Sequence, residues 1–391
     1  MPQSHLLIFG ASTRAAAFSA MRAGFQPRCA DLFADADLQA RCPVHRLSPD
    51  DYPRRFHELL RLAPPGPWLY SGALENRRGL VRRLAPLRPL WGNNADVLAR
   101  VRSPAIVRQI LEDAGLPCPV VRSVRPPKGD TRCWLVKPCA GAGGLGIGFW
   151  ERETASRPRR PVYFQQYIEG EASAALFVGN GVQARFLGLT RQLIGESWLH
   201  ALPFRYCGSI GPLLVEPELR KKLEQVGNAL TAACHLRGLF GVDCVLRDGV
   251  PWPVEINPRY TASVEVLEYA TGLPAIALHQ QVFDPDAPTR TWRAGSLSDR
   301  RSARSGATVG KAILFARAEL IFPAKGPWSP VLTAPRPMDE MPAFADLPHA
   351  GQIIKAGHPI LTYFARADST SDCSNALQQI AADLDQRLFS R

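Results

Sequence analysis

The chain has 391 residues, of which 46% are hydrophobic and 21% charged, and this balance excludes a disordered or fibrous protein. Its length predicts two or three domains, and its net charge is +12, carried by 40 Arg and only 7 Lys. No apolar run reaches the roughly 18 to 20 residues of a membrane span, no signal-peptide pattern opens the chain, and the nine Cys never stand as C-x-x-C. We therefore expect a cytoplasmic protein with free thiols, no zinc site and no membrane partner.

The first third of the chain alternates strand and helix signals. It holds 18 Arg, no Lys and 10 acidic residues before position 127, a basic balance that favours an acidic substrate. Alternating strands and helices predict a parallel sheet with both faces covered. The first turn, 10–14, lacks the G-x-G-x-x-G spacing of a dinucleotide site. The predicted strands are 5–9, 27–30 and 68–70, and the predicted helices are 15–23, 52–62 and 76–84.

The remainder of the chain is mixed. A helical pattern over 96–115 is expected to break near Ser103-Pro104, because proline disfavours helix in the residue before it. Strand signals dominate from there to about residue 260, interrupted by one long helix. The further predictions are a loop at 157–161, a helix at 216–236, a hairpin at 240–256, a connector at 284–308, strands at 312–315 and 360–365, and a helix at 374–388.

A glycine-rich loop follows a short apolar strand that ends in Lys137. Five of the eight residues from 141 to 148 are glycine, among them Gly141, Gly143, Gly144 and Gly146. Glycine lets backbone N–H groups approach an oxyanion closely, and a lysine supplies a point charge for phosphate. Because the lysine precedes the glycines, this is not a Walker A loop. The pattern predicts a phosphate-binding loop, with a flexible surface hairpin as the alternative.

A second segment, 162–171, is an apolar strand that ends in the polar turn Gln165-Gln-Tyr-Ile-Glu-Gly-Glu171. A backbone edge at such a place can pair with a purine, and a carboxylate can accept from ribose hydroxyls. By itself, this segment is a weak signal and is more typical of an ordinary passage from strand to turn.

The third segment is the predicted hairpin, which ends in Glu255 and Asn257. Residues i and i+2 of a strand share a face, so these side chains present two oxygen ligands suited to Mg²⁺. Asp243 lies on the same face as Glu255 and Asn257 only if the hairpin loop has the right number of residues. A two-residue loop at 248–249 pairs it with Val254 on the other face. We predict a three-residue loop, 247–249, which pairs it with Pro253 and turns it toward the metal.

These three segments, in this order and at these distances, resemble the ATP-grasp superfamily over roughly residues 95–275. The sequence V-E-I-N-P-R at 254–259 is the most specific part of the likeness. The resemblance implies an α/β protein, α+β in its ATP-grasp part. It implies a pre-ATP-grasp domain at 1–95 with a parallel sheet, and a two-lobed ATP-grasp domain at 96–299. The small lobe would cover about 103–170, the large lobe about 171–299, and an extension at 300–391 would pack on the grasp domain.

The resemblance also implies roles for individual residues. Lys137 would contact the α- and β-phosphates of ATP, and the glycines from Gly141 to Gly146 would cover the β- and γ-phosphates. Arg259 would face the transferring phosphate, so that it and Lys137 are the expected catalytic residues. The remaining implied contacts are adenine at Gln166, Tyr167 and Ile168, ribose at Glu171, and Mg²⁺ (or Mn²⁺) at Asp243, Glu255 and Asn257.

One departure from the family pattern concerns a second lysine, which members usually carry upstream of G-[IL]-P-x-P. Here Leu116-Pro-Cys-Pro119 is present, but no lysine precedes it. Arg102 and Arg108 are the available cations. An arginine binds phosphate through two parallel N–H groups, whereas a lysine acts as a point charge. We assign the role to Arg102, with Arg108 left open.

ATP-grasp enzymes usually join a carboxylate to an amine, and the resemblance therefore implies an ADP-forming carboxylate–amine ligase that works through an acylphosphate. The alternative is a small-molecule kinase on the same fold. By a weaker likeness, the whole chain is similar to ATP-grasp ligases of methanofuran-type cofactor synthesis. The expected partners are a small-molecule acid and an amine rather than nucleic acid, and a homo-oligomer stays open.

The substrate itself is less readable. The segment 71–76 follows a predicted strand and is a candidate to line the substrate cleft, with a plain helix start as the alternative. The aromatic- and glycine-containing stretch 191–209 is a candidate cover over the substrate. Lys311 opens a strand of the C-terminal segment, where we expect a surface lysine, with an approach to the cleft as the alternative.

Overall fold

The computed structural model describes residues 4–151, 160–288, 308–334 and 337–389. Most of the predicted connector at 284–308, part of the predicted loop at 157–161 and the predicted boundary at 299–300 lie outside those residues. Among the helices described, none combines the length and the apolar character that crossing a bilayer requires. The fold is a mixed α/β one, with a parallel N-terminal sheet and antiparallel sheets after it, as predicted.

The N-terminal part is a four-stranded sheet in the order β3-β2-β1-β4, and all of its strand pairs are parallel. The strand β3 has no counterpart in the prediction, because its sequence Val-His-Arg is only partly buried and shows no apolar run, unlike the equally short β4. The sheet is covered by short helices. The elements are β1 (His5–Phe9), α1 (Arg14–Arg22), β2 (Gln26–Asp31), α2 (Ala36–Gln39), β3 (Val44–Arg46), α3 (Phe56–Leu62), β4 (Trp68–Tyr70) and α4 (Arg78–Leu84).

Two helices lead from this part into a small antiparallel sheet in the order β5-β8-β6-β7. The break between the helices follows from the sequence: Ser103 accepts a hydrogen bond from the Ile106 amide, and Pro104 occupies the first helical position. The elements are α5 (Ala95–Val101), α6 (Pro104–Asp113), β5 (Val121–Arg122), β6 (Trp134–Pro138), β7 (Gly148–Phe149) and β8 (Val162–Gln166).

A large antiparallel sheet, in the order β13-β12-β9-β10-β11-β14-β18-β16, forms the body of the molecule. Strands from the C-terminal segment continue this sheet, since β14 pairs directly with β11. Its first elements are β9 (Glu171–Asn180), β10 (Ala184–Ile194), β11 (Tyr206–Gly211), α7 (Pro217–Cys234), β12 (Arg237–Arg247), β13 (Val250–Asn257), α8 (Ala262–Thr271) and α9 (Ala275–Phe283). The C-terminal elements are β14 (Thr308–Phe315), β15 (Leu320–Ile321), α10 (Ser329–Thr333), β16 (Phe344–Ala345), β17 (Ile353–Ile354), β18 (Pro359–Ala367) and α11 (Thr370–Phe389).

The hairpin β12–β13 corrects one prediction. Arg247 pairs with Val250, so the loop has two residues, and the expected three-residue loop is wrong. Asp248 and Gly249 both have positive φ (52° and 69°), as an Asp-Gly turn of this kind requires. Asp243 nevertheless pairs with Glu255, because the register shifts by one residue between positions 243 and 244. A β-bulge at Val254, rather than the turn, therefore brings both carboxylates to one face.

A buried charge network joins the N-terminal, central and C-terminal parts of the molecule at helix α8. Glu265 on α8 has no exposed surface and accepts hydrogen bonds from Arg14 and from Lys311 (Nζ to Oε2, 3.0 Å). Arg14 also donates to Asp346 (Nε to Oδ1, 2.8 Å). Lys311 is only 4% exposed, so the expectation of a surface lysine is wrong. Its strand carries it against α8, and its ammonium also donates to the Ala262 carbonyl at 3.2 Å.

Candidate functional site

A cavity of about 650 Å³ lies where the small sheet faces the large sheet and the N-terminal part. It is lined by backbone of the glycine loop, by the end of β8, by the β12–β13 hairpin and by the stretch 192–206. Most of the predicted site residues are on its wall. These are Lys137, Gly141, Gly143, Gly144, Gln166, Tyr167, Ile168, Asp243, Glu255, Asn257 and Arg259.

Lys137 lies near the end of β6 and is 6% exposed. Its ammonium donates to Gln165 Oε1 at 3.0 Å and to the Val254 carbonyl at 3.4 Å. Burial lowers the pKa of this ammonium, against the opposing pull of Glu255 and Asp243. Two neutral oxygens thus hold the lysine in place without neutralising it, so its positive charge is available to an anion in the cavity.

The glycine loop rests on the stretch before β11. Gly144 has φ +80°, and a Cβ built there would lie 1.8 Å from the Phe204 carbonyl oxygen, so no other residue fits. The Tyr206 amide donates to the Gly143 carbonyl at 3.3 Å. This contact makes the predicted cover at 191–209 a neighbour of the loop, and Gln192, Phe204 and Tyr206 line the cavity. Gly146 does not line it and packs on Pro138 instead.

Aromatic rings form one end of the cavity. Phe149 packs edge-on against Tyr167 (ring centroids 5.2 Å apart) and against Phe204 (5.3 Å). Phe204 belongs to the predicted cover at 191–209. Phe149 was not predicted, although an aromatic residue beside a glycine loop is a readable signal. Flat apolar rings beside the backbone of 166–168 suit a purine base. Glu171 is exposed and is not on the wall, whereas Gly170 and Ala172 on either side of it are.

Asp243, Glu255 and Asn257 meet on the hairpin face that points into the cavity. Asp243 accepts from Asn257 Nδ2 (2.9 Å) and from Gln192 Nε2 (3.0 Å). Burial, together with the nearby Glu255, raises the pKa of Asp243 to about 7. Against the effect of its own burial, Arg102 and Lys137 hold the pKa of Glu255 below its ordinary value. Asp243 is thus the carboxyl that a bound cation would ionise, whereas Glu255 is already ionised.

The donor set fits a hard cation that takes its remaining ligands from a nucleotide. Across 4–151, 160–288, 308–334 and 337–389, no group of three or more His, Cys, Asp or Glu side chains could hold a metal by itself. Two carboxylates and one amide oxygen are what Mg²⁺ takes from a protein when phosphate oxygens complete its shell. Asn257 Oδ1 already faces the cavity side, within 3.3 Å of the Arg259 guanidinium.

Arg102 reaches the same face from the end of α5. It donates to Glu255 Oε1 at 2.6 Å and to Asn76 Oδ1 at 3.1 Å, and it is mostly buried. Asn76 in turn donates to the Gly141 carbonyl at 3.0 Å and so ties the N-terminal part to the glycine loop. Arg108 is half-buried and lines a neighbouring pocket with Arg102 and Lys137, but its guanidinium pairs with Glu112 of its own helix. The geometry therefore favours Arg102 over Arg108 as the second cation of the site.

Arg259 joins the hairpin to the N-terminal part. Its guanidinium donates to Glu75 Oε1 (Nε at 2.9 Å), and its other nitrogens reach the Tyr260 carbonyl (3.1 Å) and Asn257. Glu75 is 1% exposed and lines the cavity, so the candidate segment 71–76 does reach the cleft. Asn76 and Gln192 lie within the two candidate segments, 71–76 and 191–209. Their individual roles in holding the cations and carboxylates were not predicted, because a lone amide in a loop or strand gives no pattern.

A two-lobed fold that holds a lysine, a glycine loop and paired carboxylates around one cavity defines the ATP-grasp class of architecture. The model of the ATP-grasp domain family matches residues 106–263. Residues 106–263 accordingly match an ATP-grasp domain, as the motifs of this part of the chain predicted.

Individual comparisons are more distant. An uncharacterised protein of Methanocaldococcus jannaschii is 22% identical over 66% of this chain, which spans 57% of that protein's length. An L-amino acid ligase from Bacillus licheniformis has a similar structure (TM-score 0.69, 17% identity, 97% of both chains). So does the biotin carboxylase domain of the Hydrogenobacter thermophilus 2-oxoglutarate carboxylase, solved with MgADP, ADP and bicarbonate (TM-score 0.67, 13% identity, 95% of this chain and 88% of that one).

Proposed function

We propose that the protein is an ATP- and Mg²⁺-dependent ligase that joins a small-molecule carboxylate to an amine through an acylphosphate and releases ADP and phosphate. One observation carries the proposal: Lys137, the glycine loop and the Asp243–Glu255–Asn257 face all line one cavity. The two structural relatives add support, since one is named a ligase of amino acids and the other holds MgADP.

In this proposal, the nucleotide enters with its base at the aromatic end of the cavity and its phosphates under the glycine loop. Lys137 and Arg102 hold phosphate oxygens from two sides, and both are kept in place by neutral or anionic partners. Backbone N–H groups of 141–144 add further donors. Glu171 is a weaker candidate for the ribose, because it stands outside the cavity wall.

The metal would be held by Asp243, Glu255 and Asn257, and it would supply charge that draws electrons from the γ-phosphoryl group. The carboxylate oxygen of the acid attacks the γ-phosphorus, the bond to the ADP oxygen breaks, and an acylphosphate forms. Arg259 and Lys137 offset the negative charge that grows on the phosphoryl oxygens. The amine then displaces phosphate and loses a proton. A Ser-His-Asp or Cys-His arrangement plays no part.

The partners of this proposal are an acid and an amine of low molecular weight, with no nucleic acid. A cytoplasmic location, a homo-oligomer and a place in cofactor biosynthesis stay predictions. A kinase on the same fold differs in one respect, since it would leave the γ-phosphoryl group on its product.

Hydroxylamine tests the proposal, because it intercepts an acylphosphate and gives a hydroxamate. Incubation with ATP, Mg²⁺, a panel of carboxylic acids and hydroxylamine is expected to yield ADP, phosphate and one hydroxamate. Glu255→Gln is expected to lower this turnover at least about 100-fold, as the loss of a metal ligand does. Glu58→Gln, which removes an exposed acid, is the matched control. Phosphate retained on a stable product would point to the kinase instead.

A further inference from the structure

Glu75 carries a carboxylate oxygen that the proposed chemistry does not use. The residue follows β4 and is 1% exposed on the cavity wall. Its Oε1 accepts a hydrogen bond from Arg259 Nε at 2.9 Å and lies 2.7 Å from a terminal guanidinium nitrogen of the same ion pair. Its Oε2 is buried and accepts no hydrogen bond from the residues that the structure describes.

A buried carboxylate oxygen without a donor is costly, by about 1 to 3 kcal/mol or more for a charged group. Such a group persists where something else supplies the donor. The other anionic side chains on this wall already have partners: Asp243 holds two amide donors, and Glu255 holds Arg102. Among the described acidic side chains that line the cavity, Glu75 is therefore the one with a carboxylate oxygen that is both buried and without a donor, and a cationic ligand could supply that donor.

The position of Glu75 indicates which part of a substrate it would contact. Arg259 bonds Glu75 on one side and lies 3.3 Å from Asn257 Oδ1 on the other. The reacting carboxylate of the substrate is expected beside Arg259 and the metal face. A cation bound by Glu75 would then be separated from that carboxylate by only the width of the Arg259 guanidinium. An ammonium one or two carbons from the carboxylate spans that separation.

We propose that the acid substrate is an amino acid, whose ammonium group donates to Glu75 Oε2 while its carboxylate lies at Arg259. This inference rests on the proposed function and names its substrate class. While it is bound by Glu75, the ammonium stays protonated, and it therefore cannot act as a nucleophile when the carboxylate is phosphorylated. The attacking amine then has to come from a second molecule.

The test compares amino acids with the same acids lacking the amino group, using hydroxylamine as the nucleophile in both cases. The pairs are L-alanine with propionate and L-glutamate with glutarate, extended over the other L-amino acids. We expect the accepted amino acid to give hydroxamate with a kcat/KM at least about 100-fold above that of its des-amino partner, since a site built around a substrate N–H rejects analogues without one.

Glu75→Gln separates binding of the ammonium from support of Arg259. The variant is expected to raise KM for the amino acid at least tenfold and to leave the des-amino acid within about threefold, so that the 100-fold preference collapses. Glu58→Gln, an exposed acid of the same domain, is expected to change neither.

Three results would overturn the inference. A des-amino acid used as well as its amino acid would do so without any variant. An equal loss for both substrates in Glu75→Gln would show that Glu75 acts only through Arg259. Hydroxamate from neither set of acids, with ATP and Mg²⁺ present, would instead remove the proposed ligase and the inference with it.

Discussion

At the scale of single residues, the site depends on carboxylates whose ionisation is set by their neighbours. Asp243 and Glu255 face each other across two strands, and Arg102 donates a hydrogen bond to Glu255, whereas Lys137 acts on both carboxyls. The pKa of Asp243 is therefore raised and that of Glu255 lowered, so the two acids ionise at different pH values. One proton is expected to leave the pair when a divalent cation binds.

The first prediction concerns the pH dependence of metal binding. Burial raises the pKa of Asp243 from 3.8 to about 7, so its ionised fraction rises about tenfold between pH 6 and pH 8. Mg²⁺ affinity, measured calorimetrically with saturating ADP, is expected to be roughly tenfold weaker at pH 6. The Asp243→Asn variant is expected to bind Mg²⁺ more weakly than the wild type and with the same affinity at pH 6 and pH 8. Equal wild-type affinities at the two pH values would contradict the assignment.

The same pKa has a consequence for folding. A carboxyl whose folded pKa lies above its unfolded pKa of 3.8 costs stability as the pH rises between about 4 and 7, because the unfolded chain releases the proton first. This sign is opposite to that of Glu255, whose pKa is lowered and whose contribution to stability is lost on acidification.

At the scale of elements, most helices and strands were readable from the sequence, and the reasons are local. The strands 5–9 and 68–70 were predicted with their observed limits, because short buried runs between turn residues leave little choice. The break at Ser103-Pro104 was predicted from capping chemistry alone. The bulge at Val254 was not, since it depends on what the hairpin packs against rather than on its turn residues.

The second prediction concerns the glycine loop. Gly144→Ala adds a Cβ that would lie 1.8 Å from the Phe204 carbonyl oxygen, at a φ of +80° that costs an L-residue about 1 to 2 kcal/mol. The loop can no longer rest on 204–206, and KM for ATP is expected to rise at least about tenfold. Gly148→Ala is the matched control, because its Cβ meets nothing within 4 Å. A similar KM in both variants would contradict a phosphate role for the loop.

At the scale of the whole molecule, the sequence predicted three parts but not how they are joined. The C-terminal strands continue the large sheet, and helix α8 is held by Arg14 from one side and Lys311 from the other. No local pattern reveals such a junction, because its members are 46 to 332 residues apart in the chain. The same long-range character explains why the partners of Lys137 could not be read from its motif.

The third prediction tests this junction. Glu265→Ala leaves Arg14 and Lys311 buried with one partner fewer, and such a change is expected to cost about 3 to 5 kcal/mol of unfolding free energy. Urea unfolding followed by circular dichroism measures it. Glu58→Ala breaks an exposed pair with Arg55 and is expected to cost less than about 1 kcal/mol. Equal midpoints for the two variants would show that the network does not hold the parts together.

The central claim, that the protein activates a carboxylate as an acylphosphate, is tested most directly by following oxygen. The acid accepted in the hydroxamate assay is labelled with ¹⁸O in its carboxylate and incubated with unlabelled ATP, Mg²⁺ and the amine. The mechanism moves one carboxylate oxygen to the phosphoryl group, so mass spectrometry is expected to find one ¹⁸O in each released phosphate. Unlabelled phosphate, or a product that keeps both the label and the phosphoryl group, would contradict the mechanism.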